Sequence, residues 1–169
     1  VRSRRQRQMC IRDSLEIIDE ILNKKPSLEY LEIITENWFS DGPHHKKLEE
    51  LRKDYKILFH CVGMNIAGTQ ELNTDHIHKV KELADQYQPE HISDHLCITA
   101  HDGVQFHDLL PFPYNNIGLE NTVERVQEIQ DILGQNILLE NLSYYVKFKS
   151  SNVSEFEFLN QLTRRTDSL

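Results

Sequence analysis

Lys56–Cys97 reads KILFHCVGMNIAGTQELNTDHIHKVKELADQYQPEHISDHLC and holds one complete strand, helix and strand. Lys56–His60 is a short apolar run, strand-length and rich in branched and aromatic residues. Asn73–Gln86 places Ile77, Val80, Leu83 and Ala84 along one side of a helix. His91–Cys97 returns to a strand. Two strands joined through a helical crossover lie parallel in one sheet, because the crossover carries the chain back to the starting edge.

The same alternation extends outward from this unit. Upstream, Leu15–Asn23 carries Ile17, Ile18, Ile21 and Leu22 at helical spacing and ends before Pro26. Leu28–Thr35 (LEYLEIIT) reads as a buried strand, Asp41-Gly42-Pro43 as a turn and His44–Asp54 as a charged helix. Downstream, Gly103–His107 reads as a short excursion folding back over the sheet's mouth. Asn115–Leu133 is the longest helix, with Gly134 placed to stop it. Asn136–Glu140 (NILLE) is a fourth strand. Ser154-Glu155-Phe156-Glu157 is a capping box that opens a last helix, with Val153 and Phe158 as its staple. Four strands alternating with five helices predict an α/β fold, and a parallel barrel is the better reading because no strand is followed by GxGxxG or GxxxxGK[ST]. At 169 residues the chain is shorter than the roughly 250 of a whole (β/α)8 barrel, so about half a barrel is expected.

Composition narrows the function. Net charge is −8, yet residues 1–14 carry five arginines against one aspartate, which leaves −12 on the remainder. An acidic body argues against nucleic acid as the partner. The basic head 1–14 differs sharply in composition from the rest of the chain and is read as non-native, outside the fold. Residues 15–166 are read as the N-terminal half of a barrel domain and 167–169 as an uncertain tail. The mean hydropathy of −0.56 predicts a soluble chain with no membrane span. Cys10, Cys61 and Cys97 form no CxxC pair, so neither a disulfide framework nor a zinc knuckle is expected, and a reducing cytoplasm is the default.

The chemistry gathers where the strands end. They close on Glu36-Asn37, His60, Asp94-His95 and Glu140-Asn141. In barrels the C-terminal strand ends line the active site. Neighbouring strands lie about 4.8 Å apart, which brings two imidazoles within reach of one ion. Histidines and carboxylates converging there suit a first-row metal such as iron, manganese or zinc. A single histidine or glutamate at a strand end more often serves the core or caps a helix; four polar ends in succession are what favour the metal reading. His107, in Phe106-His107-Asp108-Leu109-Leu110-Pro111, either reaches the site or pins its loop. His44, His45, His76, His78, His91 and His101 are read as surface or structural residues, and Cys61 and Cys97 as buried thiols. No nucleophile elbow occurs.

Leu31–Asn37 (LEIITEN), His60–Met64 (HCVGM), Ile92–Leu96 (ISDHL), His107–Tyr114 (HDLLPFPY) and Leu138–Asn141 (LLEN) together resemble, in order and spacing, the multinuclear non-heme iron-dependent oxidative enzymes (MNIO), the family of the iron oxidase of methanobactin biosynthesis. The resemblance covers about residues 15–166. It implies a xylose-isomerase-like TIM barrel that holds two or three iron ions, uses O2 as co-substrate and modifies residues, often cysteine, of a ribosomally made precursor peptide. A peptide-delivering partner protein is implied as well. Carried over by position, His60, His95 and Glu140 match iron ligands, while Glu36, Asn37, His107 and Asn141 match motif positions near the site.

The departures are informative. Asp94 stands where many members carry glutamate. The family's glycine-rich first strand has no counterpart in the head, and its later strands, with further aspartate, histidine and glutamate ligands, lie beyond Leu169. Asp167 is not taken as one of those ligands. By this count one strand is missing at the start and three at the end, and this piece alone is expected to be inactive. Two other functions fit the residues: a barrel isomerase or phosphodiesterase using zinc, manganese or magnesium, and a non-catalytic peptide-binding barrel.

Overall fold

Alternate strand residues decide which way the sheet faces. In the computed structural model, which describes residues 8–11, 15–142, 146 and 148–168, five helices alternate with a parallel sheet. In chain order the elements are β1 (Gln8–Ile11), α1 (Leu15–Lys24), β2 (Tyr30–Ile34), a 3₁₀ turn (Thr35–Trp38), α2 (His44–Asp54), β3 (Lys56–His60), α3 (Thr74–Tyr87), β4 (His91–His95), β5 (Ile98–His101), β6 (Val104–Leu110), α4 (Asn116–Leu133), β7 (Leu138–Glu140) and α5 (Glu155–Thr166). The sheet order is β1-β2-β3-β4-β7, all parallel, and β5 and β6 form a separate antiparallel hairpin.

Register aligns Ile33, Phe59 and Ile92 across three strands. These residues, with Leu31 and Ile57, are essentially inaccessible and face the helices. Ile21, Leu51, Ile77, Val80, Val126, Ile129 and Phe158 meet them there in one continuous core. Burying one such side chain contributes about 1.5–3 kcal/mol. The opposite face carries Ile34, His60, Ser93 and Leu138 at one level, and His95 and Glu140 at the next. All the chemistry faces this second side.

Helix ends match the expected signals. Asn73 Oδ1 accepts the His76 N–H (3.2 Å), Asn115 Oδ1 the Gly118 N–H (2.8 Å) and Ser154 Oγ the Glu157 N–H (3.2 Å). Gly134 closes α4 at φ +72°, where a side chain would be strained.

Three boundaries differ from the sequence reading. Gln8–Ile11, within the head set aside as non-native, runs as β1 beside β2, because an exposed strand edge accepts any extended segment with free backbone groups. The sheet therefore has five strands among the described residues rather than four; residues 1–7, 12–14 and 169 of the head and tail lie outside the described residues. The third expected strand stops at His95 rather than Cys97, since the Cys97 N–H turns back to His95 O at 2.9 Å and launches the hairpin. That hairpin is the excursion expected near Gly103–His107, at Ile98–Leu110.

A buried arginine anchors the loop between β3 and α3. Arg125 on α4 is 6% exposed, and its guanidinium donates to the carbonyls of Ile66 (3.2 Å), Gln70 (2.5 Å) and Asn65 (2.9 Å). Asn65 sits at φ +55°, a left-handed conformation that asparagine tolerates. Its side chain accepts the Thr99 and Ala100 N–H groups and so ties the hairpin to the same loop. Arg125→Met leaves three carbonyls without their donor. It is expected to lower stability by about 3 kcal/mol, read as a shift of the urea midpoint at constant m-value.

Candidate metal centre

His60 ends β3 and His95 ends β4, each on the face away from the helices. Glu140, the last residue of β7, is the register partner of His95. The two imidazole rings approach edge to face with centroids 4.6 Å apart. Glu140 Oε2 lies 3.8 Å from His60 Nε2 and 3.7 Å from His95 Nε2. These separations are too long for hydrogen bonds and fall within the roughly 4.2 Å that two ligands at about 2.1 Å from one ion can span. Among the described residues this is the one group of three histidine, cysteine or acidic side chains able to share an ion, with its three ligand atoms within 4.8 Å of one another.

Neighbouring groups fix the tautomer of His60. Ser93 Oγ can donate to Phe59 O, at 3.3 Å. With its proton placed there, it accepts from the Nδ1–H of His60, at 2.8 Å. That leaves Nε2 bare, with its lone pair on the side of Glu140 and His95. Orienting a ligand imidazole through its other nitrogen is what metal sites require. Both imidazoles are sheltered, at 11% and 14% exposed, whereas Glu140 is 58% exposed, so the group opens toward solvent on the carboxylate's side. Two neutral imidazole nitrogens and one carboxylate oxygen are a donor set suited to a first-row divalent ion.

Asp94 does not join this group. It points to the helix side of β4, is 1% exposed, and accepts the N–H groups of Met64 (2.8 Å) and His95 (2.5 Å). Burial pushes its carboxyl up to about 8; the Met64 and His95 amides oppose that shift, while the charges of Glu36 and Glu140 add to it.

The structure sets the other expected residues on separate elements. Glu36 accepts the Val62 N–H at 2.8 Å, just beyond the end of β3. Asn37 is exposed on the 3₁₀ turn. Asn141 accepts from the Tyr114 hydroxyl (3.1 Å) and donates to Glu155 at the start of α5. His107 is exposed on β6 and is not one of the three clustered residues. Cys61 and Cys97 are free and buried. Burial is the chief reason the Cys97 thiol is pushed up to about 12 and the Cys61 thiol well above its usual range.

Two residues were missed by the sequence reading. Ser93 carries its signal in the spacing of two from His95, which puts both on one face of β4. Its partnership with His60 depends on inter-strand register, which the sequence does not carry. His76 was read as a surface residue of α3. It is 15% exposed and lies beside Glu36, because it flanks the buried Ile77 and Val80 on the same helix.

Residues 12–169 match the family described as RiPP precursor modification enzyme MbnB/TglH/ChrH, a match that starts just after β1. A UPF0276 protein of Acaryochloris marina is 35% identical over 147 residues, covering 87% of this chain and 53% of that protein. A UPF0276 protein of Vibrio vulnificus is 37% identical over 150 residues, covering 88% of this chain and 52% of its own length. The chain thus spans about half the length of these relatives. Among solved structures, D-allulose 3-epimerase from Methylomonas sp. in complex with D-allulose superposes with TM-score 0.54 at 14% identity, over 89% of this chain and 52% of the epimerase. That likeness shows the fold: part of a xylose-isomerase-like TIM barrel.

Ser93→Ala removes the acceptor that holds the His60 proton on Nδ1. The expected outcome is a shift of the His60 ring-nitrogen resonances toward the other tautomer, measured by NMR at a pH where the ring is neutral, with the His95 resonances little changed.

Proposed function

We propose, starting from the fact that this chain belongs to the MbnB/TglH/ChrH family of RiPP precursor modification enzymes, that it is part of an iron-dependent oxidase that uses O2 to modify a residue, often cysteine, of a ribosomally made precursor peptide. The observation that carries this reading is the convergence of His60, His95 and Glu140 at the ends of three adjacent strands. These three residues would hold an iron ion, with further ions in the complete barrel bound by residues beyond those in this chain. Bound iron supplies one-electron redox chemistry toward dioxygen, which side chains alone do not provide.

The chain's own residues prepare the place. Ser93 keeps the His60 proton on the nitrogen away from the centre. The sheltered imidazoles exclude water on the sheet side, and exposed Glu140 marks the open side on which a peptide segment would lie. Cys61 and Cys97 are buried, and burial favours their protonated form, which leaves the exposed role of reacting sulfur to a peptide cysteine in this reading. Glu36 and Asn141 support the strand ends from either side, and Asn37 and His107 offer polar groups to a bound peptide. A partner protein would deliver the precursor. Two free thiols fit a reducing cytoplasm, and among the described residues no helix is long and apolar enough to cross a membrane.

The test is metal analysis of the full-length protein together with dioxygen uptake in the presence of a cysteine-containing precursor peptide. More than one iron per chain and peptide-dependent uptake are expected, with iron content reduced and uptake abolished in His60→Ala and His95→Ala. Zinc or manganese without dioxygen uptake would favour isomerase or phosphodiesterase chemistry, and a metal-free protein that still binds peptide would leave a binding barrel.

A further inference from the structure

We infer that Glu36 and His76 act as a positioning pair that sets the backbone just beyond β3 and, through it, the pose of His60. This inference rests on the metal reading of the His60, His95 and Glu140 cluster.

After His60 the chain leaves the sheet along two contacts. The Cys61 N–H donates to Ser93 O at 2.7 Å, extending the pairing with β4 by one residue. The next amide, Val62 N–H, donates to Glu36 Oε1 at 2.8 Å. A side chain from the end of β2 therefore takes over where the sheet stops. Only Cys61 separates that contact from His60 along the chain.

A neutral acceptor would satisfy one amide. This acceptor is a carboxylate, and it is only 18% exposed. An ionised carboxylate in such a place needs a counter-charge or a donor. His76 stands beside it: its Nε2 lies 3.3 Å from the same Oε1. The imidazole is braced edge-on by Phe39, with ring centroids 5.0 Å apart. Its backbone is fixed by the Asn73 cap at the start of α3. The loop beyond β3 and helix α3 thus both approach one oxygen.

Gly63 makes the approach possible. A Cβ there would sit 2.7 Å from His76 Cε1 and 3.3 Å from Glu36 Oε1. Any side chain at this position would push into the pair. Among the described residues, Glu36 Oε2 and His76 Nε2 are also buried without a hydrogen bond. The two side chains therefore meet by close approach rather than through a formed hydrogen bond.

Cobalt(II) titration of the purified protein tests this, because its visible absorption reports both affinity and ligand geometry at the His60 centre. His60→Ala serves as the control for the centre itself. Glu36→Gln and His76→Ala are expected to weaken cobalt binding about 10- to 100-fold, the usual effect of losing a group that orients a ligand, and to alter the band shape. His76→Gln, whose amide can donate to the same oxygen, is expected to recover most of the affinity. Gly63→Ala, which keeps both partners but forces them apart, is expected to behave like His76→Ala, and it answers the question if His76→Ala does not fold. Wild-type affinity and spectrum in Glu36→Gln and Gly63→Ala would overturn the inference while leaving the metal centre intact. So would losses that track the unfolding midpoint and are not recovered by glutamine. No cobalt binding by the wild-type protein would overturn the inference and the metal reading together.

Discussion

Register between three parallel strands is the constraint on which the site depends. His60 stands opposite Ser93, and His95 opposite Glu140. Side chains alternate faces with period two, so a one-residue slip of β4 would turn both Ser93 and His95 into the helix layer. Apolar packing prevents the slip, because Phe59 and Ile92 are locked into the core on the other face. Backbone bonds past the strand ends reinforce it, with Cys61 N–H on Ser93 O and Leu96 N–H on Glu140 O. The hydrophobic side of the sheet thus fixes the geometry of its polar side.

That arrangement gathers negative charge at one end of the sheet. Glu36, Asp94 and Glu140 are near enough that the first and last both disfavour the charged form of Asp94. The structure answers this in three ways. His76 lies against Glu36, two backbone amides serve Asp94, and Glu140 remains largely in solvent. A bound cation would meet the same surplus directly, which is why an acidic end with neutral imidazoles suits a metal better than it suits a phosphate or a nucleic acid.

Much of this was legible in the sequence. Periodicity placed α1, α3 and α4 to within one residue, because each buries a continuous stripe; α2 was legible from its charge and preceding turn, and the start of α5 from its capping box. The strands were legible as apolar runs, and the polar residue closing each pointed to the chemistry. The features that could not be read depend on contacts between distant segments. The Ser93 to His60 bond needs the pairing of β3 with β4. The approach of His76 to Glu36 needs the packing of α3 beside the 3₁₀ turn. Asp94 shows the limit of a strand-end pattern, because a carboxylate there can face either side of the sheet. The strand at Gln8–Ile11 was hidden by a composition unlike the rest of the domain.

Arg125 bears on how the mouth responds to its surroundings. Its partners are three backbone carbonyls, and among the described residues no carboxylate lies within ion-pair distance of it. Burial lowers its pKa from the ordinary arginine value, an effect partly offset by Glu128, but its counterparts cannot titrate at all. An ion pair in the same place would loosen as its acid became protonated. This contact has no such proton to gain, so the loop and the hairpin tied to it stay fastened as the pH falls.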